Sequence, residues 1–138
     1  MPGWTKVKSD YSYGDDARSC RYANDGHYAV GSKDGYIRYY DSSYNQVWRN
    51  RRDSDSEIEG LAFSPNSSYL LATWTADSRK VAIFDVNSNT SEINLTSPNS
   101  DSDAADWSSD GTLFAFGNNN KDLFVNNGSS TSTFNNRL

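Results

Sequence analysis

The feature that most constrains the fold of this chain is an internal repeat: one pattern occurs three times with a period of about 42 residues. Tyr22-Ala23-Asn24-Asp25-Gly26, Phe63-Ser64-Pro65-Asn66-Ser67 and Trp107-Ser108-Ser109-Asp110-Gly111 each join an aromatic to a small residue and then to turn formers, at spacings of 41 and 44. Each leads into a short apolar run, YAVGS (28–32), YLLAT (69–73) and TLFAFG (112–117), rich in strand-favouring residues and bounded by turn chemistry. Polar turns follow at Lys33-Asp34-Gly35, Asp77-Ser78-Arg79 and Asn118-Asn119-Asn120. Third runs then end at Asp41, Asp85 and Asn126. A fourth, weaker run centres on Trp48, Ile93 and Phe134.

One unit therefore reads as four short strands in a meander, and no stretch carries a helical apolar period behind a capping signal. The expected class is all-β. Four-stranded units repeating at this interval are the pattern of β-propeller blades, in which neighbouring sheets bury each other's faces. The 138 residues form one repeat domain. It divides into an N-terminal extra strand and connection (1–16), blade 1 (17–56), blade 2 (57–100) and blade 3 (101–138).

AVGSKDGYIRYYD (29–41) and LAFSPNSSYLLAT with VAIFDV (61–86) resemble WD repeats, and the resemblance runs from about residue 17 to 134. In it Tyr40-Asp41 and Phe84-Asp85 stand where the family has Trp-Asp, Val125-Asn126 replaces that pair in the third unit, and Asp34 and Asp77 match the Asp between second and third strands. No unit has the Gly-His pair before its first strand, so the His–Ser–Asp–Trp network that stiffens many such blades has no histidine to start from. AVGSKDGYIRYYD and DWSSDG (106–111) are also similar to the propellers of echinoderm-type microtubule-associated proteins. The resemblance implies a non-catalytic scaffold that binds other proteins or peptides.

Propellers typically have four to eight blades, so three units leave two open ends, each exposing the apolar face of a sheet. The expected remedy is self-association, two chains head to tail giving a six-bladed homodimer ring. WTKVK (4–8) alternates like an edge strand, and Val7 precedes Tyr22 by 15 residues just as Trp48 precedes Phe63. Residues 1–9 are accordingly expected as an extra fourth strand that completes the partner's third blade in trans, in competition with residues 131–135 in cis.

Charge and chemistry narrow the function. The net charge of −5 opposes a general nucleic-acid binder, because phosphate contacts by Lys and Arg supply most of non-specific affinity. The apolar runs are far shorter than a bilayer span and none follows Met1 as in a signal peptide, so no membrane partner and a cytoplasmic location are expected. Cys20, the one cysteine, excludes an intramolecular disulfide and is expected in the core of a buried first strand. His27, the one histidine, is expected to face solvent in a turn. With one His and no Cys pair, neither a zinc site nor a nucleophilic triad can be assembled, and enzyme activity and cofactors are not expected. D-S-D-S-E (53–57) and D-S-D (101–103) offer carboxylates to calcium but lack the Gly and Glu of an EF-hand loop, so no metal is assigned.

Acidic residues recur before each first strand and basic ones in the turns between second and third strands. In a WD-type blade both kinds of loop emerge on one face of the disc. The expected binding surface is therefore a charge-patterned loop face bearing Lys33, Arg51, Arg52, Asp53, Asp55, Arg79, Lys80, Asp101 and Asp103. Two alternatives remain at this point: a cytoskeletal, microtubule-associated protein, and a propeller fragment, truncated or engineered, with no specific partner.

Overall fold

The computed structural model describes residues 3–52, 55–75, 81–88, 92–95, 101–127 and 136–137. Among these, no helix forms, and twelve strands make three four-stranded antiparallel sheets, each a simple meander. Blade 1 comprises β1 (Ala17–Tyr22), β2 (Tyr28–Ser32), β3 (Tyr36–Tyr40) and β4 (Gln46–Arg51). Blade 2 comprises β5 (Glu57–Phe63), β6 (Tyr69–Thr75), β7 (Val81–Asp85) and β8 (Glu92–Leu95). Blade 3 comprises β9 (Ser102–Trp107), β10 (Leu113–Asn118), β11 (Asp122–Asn127) and β12 (Asn136–Arg137).

The repeated turn formers set the register. Tyr22 pairs with Tyr28, Phe63 with Leu70 and Trp107 with Phe114, so the aromatic that ends each first strand sits at the same place in all three sheets. Within each first turn an Asx side chain accepts a backbone amide two residues on, from His27 to Asp25, Ser68 to Asn66 and Thr112 to Asp110. The residue that closes the turn has positive φ in every unit: Gly26, Ser67 and Gly111. Asp41 and Asp85, second members of the expected pairs, cap the third turn through the amides of Ser43 and Asn87. The third unit differs from expectation by one residue. Because Leu70 pairs with Phe84 and Phe114 with Asn126, the equivalent pair there is Asn126-Asn127 and not Val125-Asn126.

Packing between blades makes the core. One cluster joins Ile37, Tyr39 and Trp48 of blade 1 to Leu61, Leu70 and Phe84 of blade 2, and the Trp48 indole donates to the Val86 carbonyl across the junction at 3.0 Å. A second joins Leu71, Val81 and Ile83 to Phe114, Phe116 and Phe124. Strand alternation sends Leu70 and Leu71 in opposite directions, so blade 2 is buried on both faces while blades 1 and 3 each bury one. Where inner strands approach, only glycine fits. A Cβ on Gly31 would lie 2.4 Å from Ile58 Cγ2, and one on Gly60 would lie 2.4 Å from Thr73 Oγ1 and 3.1 Å from the Ala105 nitrogen.

One expectation fails at an end blade. Cys20 is exposed rather than core, because β1 belongs to an end blade and no further sheet covers its outer side. Residues 3–16 contain no strand, and the fourth position of blade 3 is held in cis by Asn136 and Arg137, paired with Leu123 and Asp122. The competing cis segment, 131–135, lies outside the described residues. Since a backbone amide lies against Gly60 and cannot give way as a side chain can, Gly60→Ala is expected to cost about 1–3 kcal/mol of stability in urea unfolding.

Candidate interaction surfaces

Three surfaces follow from this arrangement. The first is the loop face. The connection before each first strand and the turn between second and third strands meet at one end of the sheet: the Lys33 amide donates to the Asp16 carbonyl at 2.8 Å and the Asn119 amide to the Asp101 carbonyl at 3.0 Å. Glu57 accepts from Arg18 at 2.9 Å and lies 3.9 Å from Lys33 Nζ, so Lys33 belongs to an ion-pair network that bridges blades 1 and 2. Burial pushes the Glu59 carboxyl up, with Glu57 and Asp103 adding repulsion that Arg18 opposes; burial likewise raises Asp103, with Asp101 adding to it.

Of the other expected site residues, Arg51 lies with Arg49 over the Tyr36 ring, at 5.4 and 5.1 Å from its centroid. Arg52 turns the opposite way, over Trp74 and Phe84 at the junction with blade 2, and its amide donates to the Gly35 carbonyl at 2.8 Å. The Arg49–Arg52 cluster is thus split between two places. Asp55, Asp101 and Asp103 lie at the entries to β5 and β9. Asp53, Arg79 and Lys80 lie outside the described residues. His27 is half-buried, not solvent-facing: its ring stacks on Tyr39 at 5.5 Å and its Nδ1 lies 3.1 Å from Asp25.

The second surface is the outer face of blade 1. Tyr22, Tyr28 and Tyr40 occupy the register positions where blade 2 presents Phe63, Leu70 and Phe84 to blade 1. Here no blade covers them. Residues 8–16 cross the face as a strap instead. Tyr40 donates its hydroxyl to Asp10 at 2.8 Å and accepts from the Tyr13 hydroxyl at 2.9 Å, and Lys8 Nζ reaches the Tyr44 carbonyl at 2.6 Å. Burial, with the bonds to Tyr13 and Asp10, pushes the Tyr40 phenol far up, so it remains a neutral donor. An open groove of about 580 Å³ runs beside the strap, lined by Asp10, Tyr11 and Tyr13 of the strap and Cys20, Tyr28 and Val30 of the sheet.

Beneath the strap lies the one buried ion pair described. Arg38 is 2% exposed; its Nη2 meets Asp34 at 2.6 Å, its Nη1 meets Ser32 at 2.7 Å, and the Tyr13 ring covers it at 4.1 Å. Asp34 also accepts from the amides of Gly14 at 3.0 Å and Tyr36 at 3.1 Å, and from the Ser32 hydroxyl. This network does in blade 1 what the absent histidine-centred one does elsewhere, tying the second turn to its strands. Sequence reasoning missed Arg38, although two signals were present: it follows Asp34 by four residues, and alternation places it on the Tyr36 and Tyr40 face.

The third surface is the outer face of blade 3, where Ala115, Leu123 and Val125 stand at the register positions of Leu71, Val81 and Ile83. Leu113 and Leu123 are 42% and 43% exposed.

Burial pushes the Asp34 carboxyl up, but hydrogen bonds from Arg38, Ser32, Gly14 and Tyr36 outweigh it and hold the group well below the usual carboxylate range. Its contribution to stability is therefore complete above the unfolded value near 3.8 and is lost as pH falls toward the folded value. Asp34→Ala, which leaves Arg38 an uncompensated buried charge, is expected to cost about 3–5 kcal/mol in urea unfolding at pH 7. The gap to the unaltered protein should narrow between about pH 4 and pH 2. A gap that stays constant over that range would contradict this assignment.

The family model described as WD domain, G-beta repeat matches residues 6–41. That span takes in the strap, β1, β2, β3 and Asp41, and so includes the Asp34 turn and the Tyr40-Asp41 pair. No curated protein matches the chain, and nothing in the comparisons supports the finer resemblance to echinoderm-type microtubule-associated proteins. Residues 6–41 thus match a WD repeat, and the three antiparallel four-stranded sheets are consistent with blades of that type.

Proposed function

We propose that the protein is a non-catalytic interaction scaffold, a half propeller that associates head to tail with a second copy into a six-bladed ring and engages other proteins or peptides through its loop face. WD repeats generally mediate protein–protein contacts, and one observation carries the reading further: blade 3 leaves an apolar face uncovered among the described residues, while both faces of blade 2 are packed against neighbouring sheets. Leu123 and Val125 stand there in the register of Val81 and Ile83, which in blade 2 are fully used in packing against blade 3.

The loop face supplies the second half of the proposal. Lys33, Asp55, Asp101 and Asp103 combine both charge signs at the first-strand end of the sheets, where the ring would open a channel, and Arg51 and Arg52 add positive charge toward the outer strand of blade 1. An acidic chain with alternating local charge suits a peptide or protein of mixed charge better than a polyanion. A cytoplasmic location is part of the same proposal.

Light scattering after size exclusion tests the assembly. The mass is expected to rise from 15.4 kDa at low concentration toward twice that value as concentration increases. A mass fixed at 15.4 kDa up to millimolar protein would overturn the proposal.

A further inference from the structure

We infer that the outer face of blade 1 is the docking surface for blade 3 of the second copy, and that the N-terminal strap is its competitor in cis. The inference rests on the self-assembly reading above and adds a control to it. The blade 2 to blade 3 junction serves as template. There a face carrying Leu71, Val81 and Ile83 receives one carrying Trp107, Phe114 and Phe116. The same register positions recur at the ends of the molecule: Ala115, Leu123 and Val125 on blade 3, and on blade 1 Tyr22, Tyr28 and Val30, with the paired Arg38 at the place of Phe124. Each end therefore presents the complement of the other.

The strap covers its face thinly. Trp4, Val7 and Tyr11 are 97%, 70% and 86% exposed, and of residues 3–14 only Tyr13 is partly buried. No strand ladder holds the segment; its anchors are the Asp10 and Tyr13 bonds to Tyr40, the Lys8 and Gly14 bonds, and the Tyr13 ring over Arg38. The groove beside it, lined by Asp10, Tyr11, Cys20 and Tyr28, is open to solvent, so the strap does not seal the face. A blade docked on this face would bury a row of apolar side chains where the strap buries one. Arg38 would stay neutralised after the strap leaves, because Asp34 and Ser32 belong to blade 1 itself. The strap thus sets a concentration threshold for assembly, and a ligand that drew it away would lower that threshold.

The test measures dimer dissociation constants by sedimentation equilibrium for the full chain, for the double variant Asp10→Ala/Tyr13→Ala, and for each with Leu123→Arg added. Loss of the strap's hydrogen bonds and ring contact is expected to tighten the dimer at least about tenfold, and Leu123→Arg to abolish association in both backgrounds. Should the double variant fail to fold by near-UV circular dichroism, Tyr13→Phe alone removes the Tyr13–Tyr40 hydrogen bond with little change in volume and is expected to tighten the dimer about threefold. If the full chain dimerises and Leu123→Arg prevents it, but strap variants bind no more tightly, the strap is not a competitor and the self-assembly reading stands. Absence of association in every variant overturns both.

Discussion

Everything in this structure depends on one constraint: a four-stranded sheet with an apolar face has to bury that face, and here the only partner large enough is another sheet. The chain meets the constraint twice internally, through Trp48, Leu70 and Phe84 on one side of blade 2 and Leu71, Ile83 and Phe116 on the other. Gly31 and Gly60 are glycine because the inner strands approach too closely for a Cβ. Blade 2 is consequently the keystone, and the end blades differ in how each treats its free face.

That difference is chemical. Blade 1 replaces Leu70, Ala82 and Phe84 of blade 2 with Tyr28, Arg38 and Tyr40, putting hydroxyls and a guanidinium on a face that in blade 2 is hydrocarbon. Tyrosine keeps the ring area needed to meet apolar side chains while giving Asp10 and Tyr13 something to bond. Blade 3 makes no such provision, and Leu113 and Leu123 lie open. The buried Arg38–Asp34 pair does not by itself add stability over an apolar pair, but it fixes the second turn and the strap in one geometry.

Most of the fold was legible in the sequence because it is written locally: turn formers, alternation and the Asp residues that cap turns act within five or six residues of each other. The three-unit period and the four strands per unit follow from such signals, and the resemblance to WD repeats marked the positions of Asp34, Asp41 and Asp85. What was misread depends on non-local neighbours. Cys20 was placed by strand pattern alone, yet its exposure depends on which blade lies beside it, and His27, placed by its turn, stacks on Tyr39 of the third strand. Val125-Asn126 was aligned by counting back from the strand end, whereas the pairing of Phe114 with Asn126 moves the pair by one. The N-terminal segment has the spacing of a fourth strand, and in the single chain it crosses blade 1 as a strap. The loop-face residues were grouped by phase in the repeat, and that logic did not foresee Arg52 turning toward Trp74 while Arg51 turned toward Tyr36.

Native-state hydrogen exchange by NMR on the dilute protein tests the central claim most directly, because open ends and a doubly buried middle blade impose a gradient that a closed ring would lack. The account predicts that amides of β5, β6 and β7 exchange only through global unfolding, while those of β1 and β9 exchange through smaller openings orders of magnitude faster. Equal protection of β1, β5 and β9 in the monomer would contradict it.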